Sequence, residues 1–384
     1  MKYKRLSFLF VIIATTLLAP LPVFNTLLFI TGNSYTNDFN KKYLFSTDNM
    51  EMVTNYFYYK VFNVSRNKRD VVVGVDNFLF LGNRHGSVID KTRGAYKYNL
   101  TDIHNWTDKL KKIQLWYENR GIKFVIVMAP NKHSVYKEKL PDWMKYNGKT
   151  ITDDIVKLSH EKNINMLDLR NSLKASKKDN ILIYTKGESH WNNIGASIAY
   201  DNTINFINKK YKNNIQRVKY RIMSNKRGKS PLSVMLKMKN PFNHEDNVYK
   251  IKTTAGKIEI VNIDKKTFDN DGEHKIIKNK NIWSNTKFFL IKNKSALNNK
   301  KLLFLCDSFS ATGDEYIGNS ILYNQTFRTI FKLDYHHIKG HRLSNFVAKH
   351  KPNIVIYQIV ERNLYNNSIV AKLPDIHIDL DNND

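Results

Sequence analysis

The chain has 384 residues, 42% of them hydrophobic and 12% aromatic, enough apolar surface for a large core, which excludes wholesale disorder. Its formal net charge of +28, from 62 Lys and Arg against 34 Asp and Glu, gives a surface that attracts polyanions; the joint abundance of Lys, Asn and Ile also fits coding by an AT-rich genome. The single cysteine, Cys306, excludes an intramolecular disulfide, and its place after Leu302-Leu303-Phe304-Leu305 reads as a small buried residue rather than a nucleophile.

Lys2, Lys4 and Arg5 precede an uncharged apolar stretch from Leu6 to Ile30, interrupted by Pro20 and Pro22. Positive residues ahead of such a stretch place its N-terminus inside. The stretch is long enough to cross a bilayer, and no small-x-small cleavage site follows it. Residues 1–32 are therefore expected to be an uncleaved signal-anchor with its short flank, a cleaved signal being the alternative. Both place the remaining chain outside the cytoplasm, which disfavours nucleic acid as the polyanion.

Residues 31–70 are polar and aromatic and read as a stem with helical pieces. Val71–Gly74 and Phe78–Leu81 predict a hairpin around Asp76-Asn77. Ile103, Trp106, Leu110, Ile113 and Tyr117 recur at helical spacing, with Thr101 as a cap and Gly121 as a stop. A strand over Ile122–Met128 follows, then a helix from Thr152 to about Lys162, a strand over Ile164–Leu167 and a helix over Asn193–Lys209. Residues 210–300 break the pattern; they are rich in Lys and Asn and read as an insertion with small strands, such as Lys257–Val261, and loops. The pattern resumes with strands at Leu302–Cys306 and Phe327–Leu333, a helix over Arg342–Lys349 and a strand at Ile354–Val360. Alternating strands and helices predict one α/β domain over 33–384, with a mostly parallel sheet covered on both faces and its active-site loops at the carboxyl ends of the strands. Asp375–Asp384 reads as a frayed acidic tail.

Two short segments carry chemistry. Asp307-Ser308-Phe309 follows directly on a buried strand, so Ser308 sits at a strand-to-helix turn with its hydroxyl exposed and its N–H free to face an oxyanion. A serine hydroxyl is a weak nucleophile that needs a base, and the base needs an acid to fix its tautomer. Glu188 and His190 are two apart, so in an extended segment they project to the same side, and they precede a helix.

Several blocks occur in order along the chain. They are Gly74-Val75-Asp76-Asn77-Phe78-Leu79-Phe80-Leu81; Val127-Met128-Ala129-Pro130-Asn131-Lys132; Tyr184-Thr185-Lys186-Gly187-Glu188-Ser189-His190-Trp191-Asn192; Leu305-Cys306-Asp307-Ser308-Phe309-Ser310; and Val360-Glu361-Arg362. Together they resemble the alginate O-acetyltransferase (AlgJ/AlgX-like) family, a branch of the SGNH hydrolase-like fold. The resemblance implies a three-layer sandwich around a mostly parallel sheet. It implies Ser308 as the nucleophile that carries the acyl group, His190 as general base and then acid, and Glu188 as the residue that orients His190. Asp307, Arg362, Tyr184 and Lys186 are its candidates for oxyanion or substrate contacts, with a Glu361–Arg362 ion pair as the other reading of Arg362.

Two departures stand out: the family's Asp is Glu188 here, and its Gly before Asp-Ser is Cys306, which would be strained if that position needs a positive φ. The implied function is O-acetylation of an extracellular or cell-surface polysaccharide, anionic if the basic surface is matched to it. The alternatives are a carbohydrate O-acetylesterase of the same fold and an inactive membrane-tethered scaffold of the envelope. The implied partner is a membrane-bound O-acyltransferase that supplies the acetyl group, and the implied location is the bacterial inner membrane, single-pass, with the catalytic domain facing the periplasm or exterior. AlgX-type members append a carbohydrate-binding module after the Glu-Arg block, so the short remainder here points to an AlgJ-like architecture. No nucleotide-binding loop and no metal-ligand spacing are present, so no cofactor and no metal are expected; His336, His337 and His341 read as surface or loop residues.

Overall fold

The computed structural model describes residues 2–35, 38–145, 148–178, 181–225, 230–238, 248–253, 259–263, 276–277, 288–310, 319–338 and 340–365. The expected acidic tail lies outside them, as does the side chain of His341. At the N-terminus, helices α1 (Lys2–Leu18) and α2 (Pro20–Ile30) hold the apolar stretch Leu6–Ile30, of mean hydropathy 2.2. By length and composition it is a candidate membrane span. Two stem helices follow, α3 (Lys41–Leu44) and α4 (Asp48–Phe62).

The hairpin forms where the sequence predicts it: β1 (Val71–Val73) pairs antiparallel with β2 (Leu79–Leu81). Its turn puts Asp76 and Asn77 in the left-handed region, at φ 54° and 64°, a conformation their short polar side chains tolerate. After α5 (Val88–Arg93), the amphipathic pattern beginning at Ile103 becomes α6 (Leu100–Glu118). Its cap is Asn99, which accepts from the Thr101 N–H, rather than Thr101 itself. Next come β3 (Lys123–Ala129), α7 (Lys132–Val135) and α8 (Ile151–Glu161). The last starts one residue earlier than expected because Thr150 and Asp153 form a capping box. Then come β4 (Met166–Asp168), α9 (Arg170–Ala175) and α10 (Asn193–Tyr211).

The irregular region contributes β5 (Tyr220–Asn225), α11 (Pro231–Met235), β6 (Val248–Thr253), β7 (Glu259–Ile263), β8 (Ile276–Ile277) and β9 (Phe288–Lys292). The α/β pattern closes with β10 (Asn298–Cys306), α12 (Asn319–Thr326), β11 (Phe327–Asp334), α13 (Gly340–His350) and β12 (Ile354–Val360).

The central sheet has the order β4-β3-β12-β10-β11-β9-β7-β8. The first five strands are parallel; β9, β7 and β8 extend the sheet antiparallel. Part of the region read as an insertion is therefore continuous with the main sheet, while β5 and β6 pair separately. Alternate residues of the parallel strands fill two cores. Val125, Val127, Leu302, Phe304, Ile354 and Ile356 face one; Phe124, Ile126, Leu303, Leu305, Val355 and Tyr357 face the other. This three-layer arrangement is the reason these strands read as mostly apolar runs. It also gathers the carboxyl ends of β10, β12 and β3, the edge where the chemistry-bearing segments lie.

Candidate active site

β10 ends at Cys306, and the chain turns through a single 3₁₀ turn over Ser308–Ser310. Ser308 is exposed between two buried neighbours, Asp307 and Phe309. The turn is fixed from below. Asp307 accepts from the Phe309 N–H (3.0 Å) with one carboxylate oxygen, and from the Tyr335 hydroxyl (2.9 Å) and the Val360 N–H (2.8 Å) with the other. Gln358 donates to Ser310 Oγ at 2.7 Å. The buried ammonium of Lys332 donates to the Ser310 carbonyl and to Ser320 Oγ at 3.0 Å. Burial pushes the Lys332 pKa down to about 8 and the Cys306 thiol up to about 12. Cys306 is thus a neutral buried thiol. It is absent from the residues of positive φ and pairs with Asp334 in the strand ladder, so the departure from glycine brings no backbone strain.

The loop over 184–192 comes from the other side. It is pinched by an antiparallel bridge between Tyr184 and Trp191 and runs into α10, whose cap is Asn192. Lys132, at the start of α7, is buried under this loop. Its ammonium donates to four backbone carbonyls: Leu79 (2.9 Å), Thr185 (2.6 Å), Lys186 (2.7 Å) and Glu188 (3.1 Å). The rings of Phe78 and Phe80 flank it at 5.1 and 5.3 Å. Gly187 is required where it stands, since a Cβ there would collide with Ser230 Oγ.

The two segments meet. His190 Nε2 lies 2.9 Å from Ser308 Oγ, across a sequence separation of 118, and His190 Nδ1 lies 2.8 Å from Glu188 Oε1. The imidazole packs edge-on against Phe309, with centroids 4.8 Å apart, and Trp191 donates to the Phe309 carbonyl at 2.9 Å. Burial raises the Glu188 carboxyl, but the His190 contact and the N–H groups of Ser189 and His190 outweigh it and hold the pKa below the usual value. An ionised carboxylate only accepts, so Nδ1 carries the hydrogen and Nε2 is left to accept from the serine hydroxyl. The extra methylene of Glu188 is accommodated by the loop: its Oε1 also takes the Ser189 N–H at 2.7 Å.

The other residues singled out in the sequence lie elsewhere or support the site. Tyr184 is fully buried, its hydroxyl on the Pro130 carbonyl at 2.7 Å. The Lys186 ammonium lies 5.7 Å from the centre of the Phe78 ring. Asp307 is buried with both oxygens engaged. In this structure the three make these contacts within the protein. The expected Glu361–Arg362 ion pair is also replaced. Glu361 accepts from the Asn131 N–H and Ser134 Oγ, both at 2.8 Å, because it caps the short helix α7. Arg362 lies over the Phe309 ring at 5.7 Å and donates to Asn131 Oδ1 at 3.3 Å; Asn131 Nδ2 is buried without a partner among the described residues. His336, on the turn after β11, pairs with Asp334 at 2.9 Å. Lys332 and Gln358 went unmarked in the sequence although each is a polar residue inside an apolar strand run, which is the signal that would have found them.

The profile of the SGNH hydrolase-like domain of the acetyltransferase AlgX type matches residues 71–276, more than half of the chain. The chain belongs to this family. The matched stretch includes Glu188 and His190 and stops before Ser308. Among solved structures, members of the same fold are similar over most of their length. PatB1 of Bacillus cereus aligns at TM-score 0.56 and 15% identity, covering 78% of this chain and 98% of its own. A DHHW family protein of Eubacterium siraeum aligns at 0.53 and 15%, covering 79% and 99%. The O-acetyltransferase domain of Pseudomonas putida AlgJ aligns at 0.50 and 14%, covering 78% and 93%. These likenesses extend the SGNH hydrolase-like assignment to the mixed, mostly parallel sheet. No curated protein matches the chain in sequence.

Proposed function

We propose that this SGNH-family protein is an O-acyltransferase that acetylates hydroxyls of a polysaccharide outside the cytoplasm, through an acyl ester on Ser308. The observation that carries this reading is the relay Ser308–His190–Glu188 on an exposed turn at the carboxyl edge of the sheet. In the first half, Ser308 Oγ attacks the acetyl carbonyl while His190 Nε2 takes its proton and passes it to the leaving group. In the second half, a sugar hydroxyl gives its proton to His190 and attacks the acyl carbon, and Ser308 leaves with the proton returned. Glu188 holds the tautomer and balances the imidazolium charge. The Ser308 N–H is the first candidate to bind the oxyanion, a contribution of roughly 3 kcal/mol for a well-placed donor.

The net charge of +28 suits an anionic glycan. No nucleotide-binding loop is present, so a membrane-bound O-acyltransferase is the proposed source of the acetyl group, and the candidate span at Leu6–Ile30 would keep the domain beside it in the inner membrane.

The test is turnover of a chromogenic acetyl ester by the purified protein, with and without acidic oligosaccharide. Wild type should acquire an acetyl group on the peptide containing Ser308, and the sugar should speed dye release and become acetylated. Ser308→Ala should lose the adduct and at least ~10³-fold in rate. Release to water that the sugar does not alter would make the protein an esterase; a folded Ser308→Ala variant with full cellular glycan acetylation would make it a scaffold.

A further inference from the structure

Helix α4 is apolar on its outward face as well as on the face it buries. The face turned inward carries buried Met52 and Tyr59 together with two asparagines. Asn49 donates to Asn25 Oδ1 and to the Tyr43 hydroxyl, and Asn55 donates to the Leu236 carbonyl at 2.7 Å. The opposite face carries Met50, Val53, Phe57 and Val61, spaced three and four apart as one stripe. Met50 is 51% exposed, Phe57 51% and Val61 58%. Phe45 and Phe62 widen the patch at its ends. A soluble surface seldom leaves so continuous an apolar stripe open.

Three observations say what covers it. First, α4 is tied to the candidate span through Asn49 and the segment before it. Asn25 of α2 is buried, and its amide donates to the carbonyls of Tyr43, Leu44 and Ser46, while Phe29 packs against Phe39 and Tyr43. Second, the depth fits. A bilayer core takes roughly 20 helical residues, and counting from Leu6 that length ends near Asn25, so the stem helices begin where the hydrocarbon ends. Third, the charge fits. The two acids of α4, Asp48 and Glu51, are both paired with Lys237, whereas Lys60, Arg66 and Lys68 are exposed, as suits an anionic lipid surface.

We infer that α4 lies in the interfacial zone of the bilayer with Met50, Val53, Phe57 and Val61 against lipid, holding the domain against the membrane surface. This rests on Leu6–Ile30 as a membrane span and is independent of acyl transfer.

Full-length protein in liposomes of phosphatidylethanolamine and phosphatidylglycerol tests it. Cysteines are placed singly at Val53, Phe57 and Val61, and at Lys157 on the outer face of α8 as the aqueous reference. The native Cys306 is 2% exposed, so a nitroxide thiol reagent reports the introduced site. Collision of the label with oxygen against a water-soluble nickel complex is then measured. The three stripe sites should give an oxygen-to-nickel ratio several-fold above the Lys157 site. Ratios equal to the Lys157 reference at the stripe sites would overturn the inference and leave the stripe for a protein partner. Agreement among three separate labels guards against one that disturbs the helix.

Discussion

The loop that carries Glu188 and His190 and the turn that carries Ser308 end in the same hydrogen-bond chain, yet each is anchored by a buried ion of opposite sign. The loop turns carbonyls inward, and the Lys132 ammonium gathers three of them with a fourth from Leu79 of β2. The turn and its neighbouring strand end offer N–H groups, and the Asp307 carboxylate gathers two of these with a hydroxyl. In both cases a charge that would be costly to bury alone is balanced by backbone dipoles. The difference is one of reach: Asp307 adjoins the residue it positions, whereas Lys132 lies more than fifty residues before the loop carbonyls it holds.

The largest effect is expected at Lys132. Lys132→Ala leaves buried carbonyls unsatisfied, at roughly 1–3 kcal/mol each for those that find no other donor. Acyl transfer should fall by about 10²-fold or more, with a lowered urea midpoint. Added ammonium or potassium ions, of a size to enter the carbonyl cage, should restore part of the activity, and lithium should not. A variant of undiminished rate would break the comparison, because the loop would then hold itself.

Asp307→Asn comes next. It keeps an acceptor but sets an N–H₂ group against an N–H or hydroxyl donor, so a loss of roughly 2 kcal/mol, or about 30-fold in kcat/KM, is expected. The loss should fall on kcat, since both carboxylate oxygens of Asp307 are engaged in holding the turn. A change confined to KM in steady-state kinetics would assign Asp307 to binding instead.

The smallest effect is expected at Lys332, and it is one of pH. Its folded pKa of about 8 lies below the 10.5 of an ordinary lysine, so between those values the unfolded chain binds more protons. Stability contributed through this residue therefore rises with pH across that window and is lowest below it. Cys306, Asp307 and Asp334 are the charged or titratable groups that act on it. Urea unfolding at pH 7.5 and pH 10 should show wild type gaining on Lys332→Met at the higher pH. An unchanged gap would mean that burial does not lower the Lys332 pKa.

Much of this was legible from local pattern. Apolar runs marked β3, β10, β11 and β12, because strands covered on both faces are apolar at most positions. Asp76-Asn77 marked the hairpin, because few side chains accept a left-handed turn. The order of the short blocks pointed to the family, and the strand end at Cys306 pointed to Ser308. Boundaries slipped by a few residues where a cap decided them, as at Asn99 and Thr150.

What the sequence determined by itself was each element and each chemical group in isolation: a base two residues from an acid, a hydroxyl after a strand, a charged leader before an apolar stretch. Only the tertiary structure decided which groups meet. The parallel order of β3, β12 and β10 sets strand ends distant in the chain side by side, and this brings His190 to Ser308. It also sends Tyr184, Lys186 and Asp307 into supporting contacts, gives Glu361 to α7 instead of Arg362, and recruits Lys132 and Lys332. A buried charge must find its partners in space, and that constraint leaves little trace in the residues on either side of it.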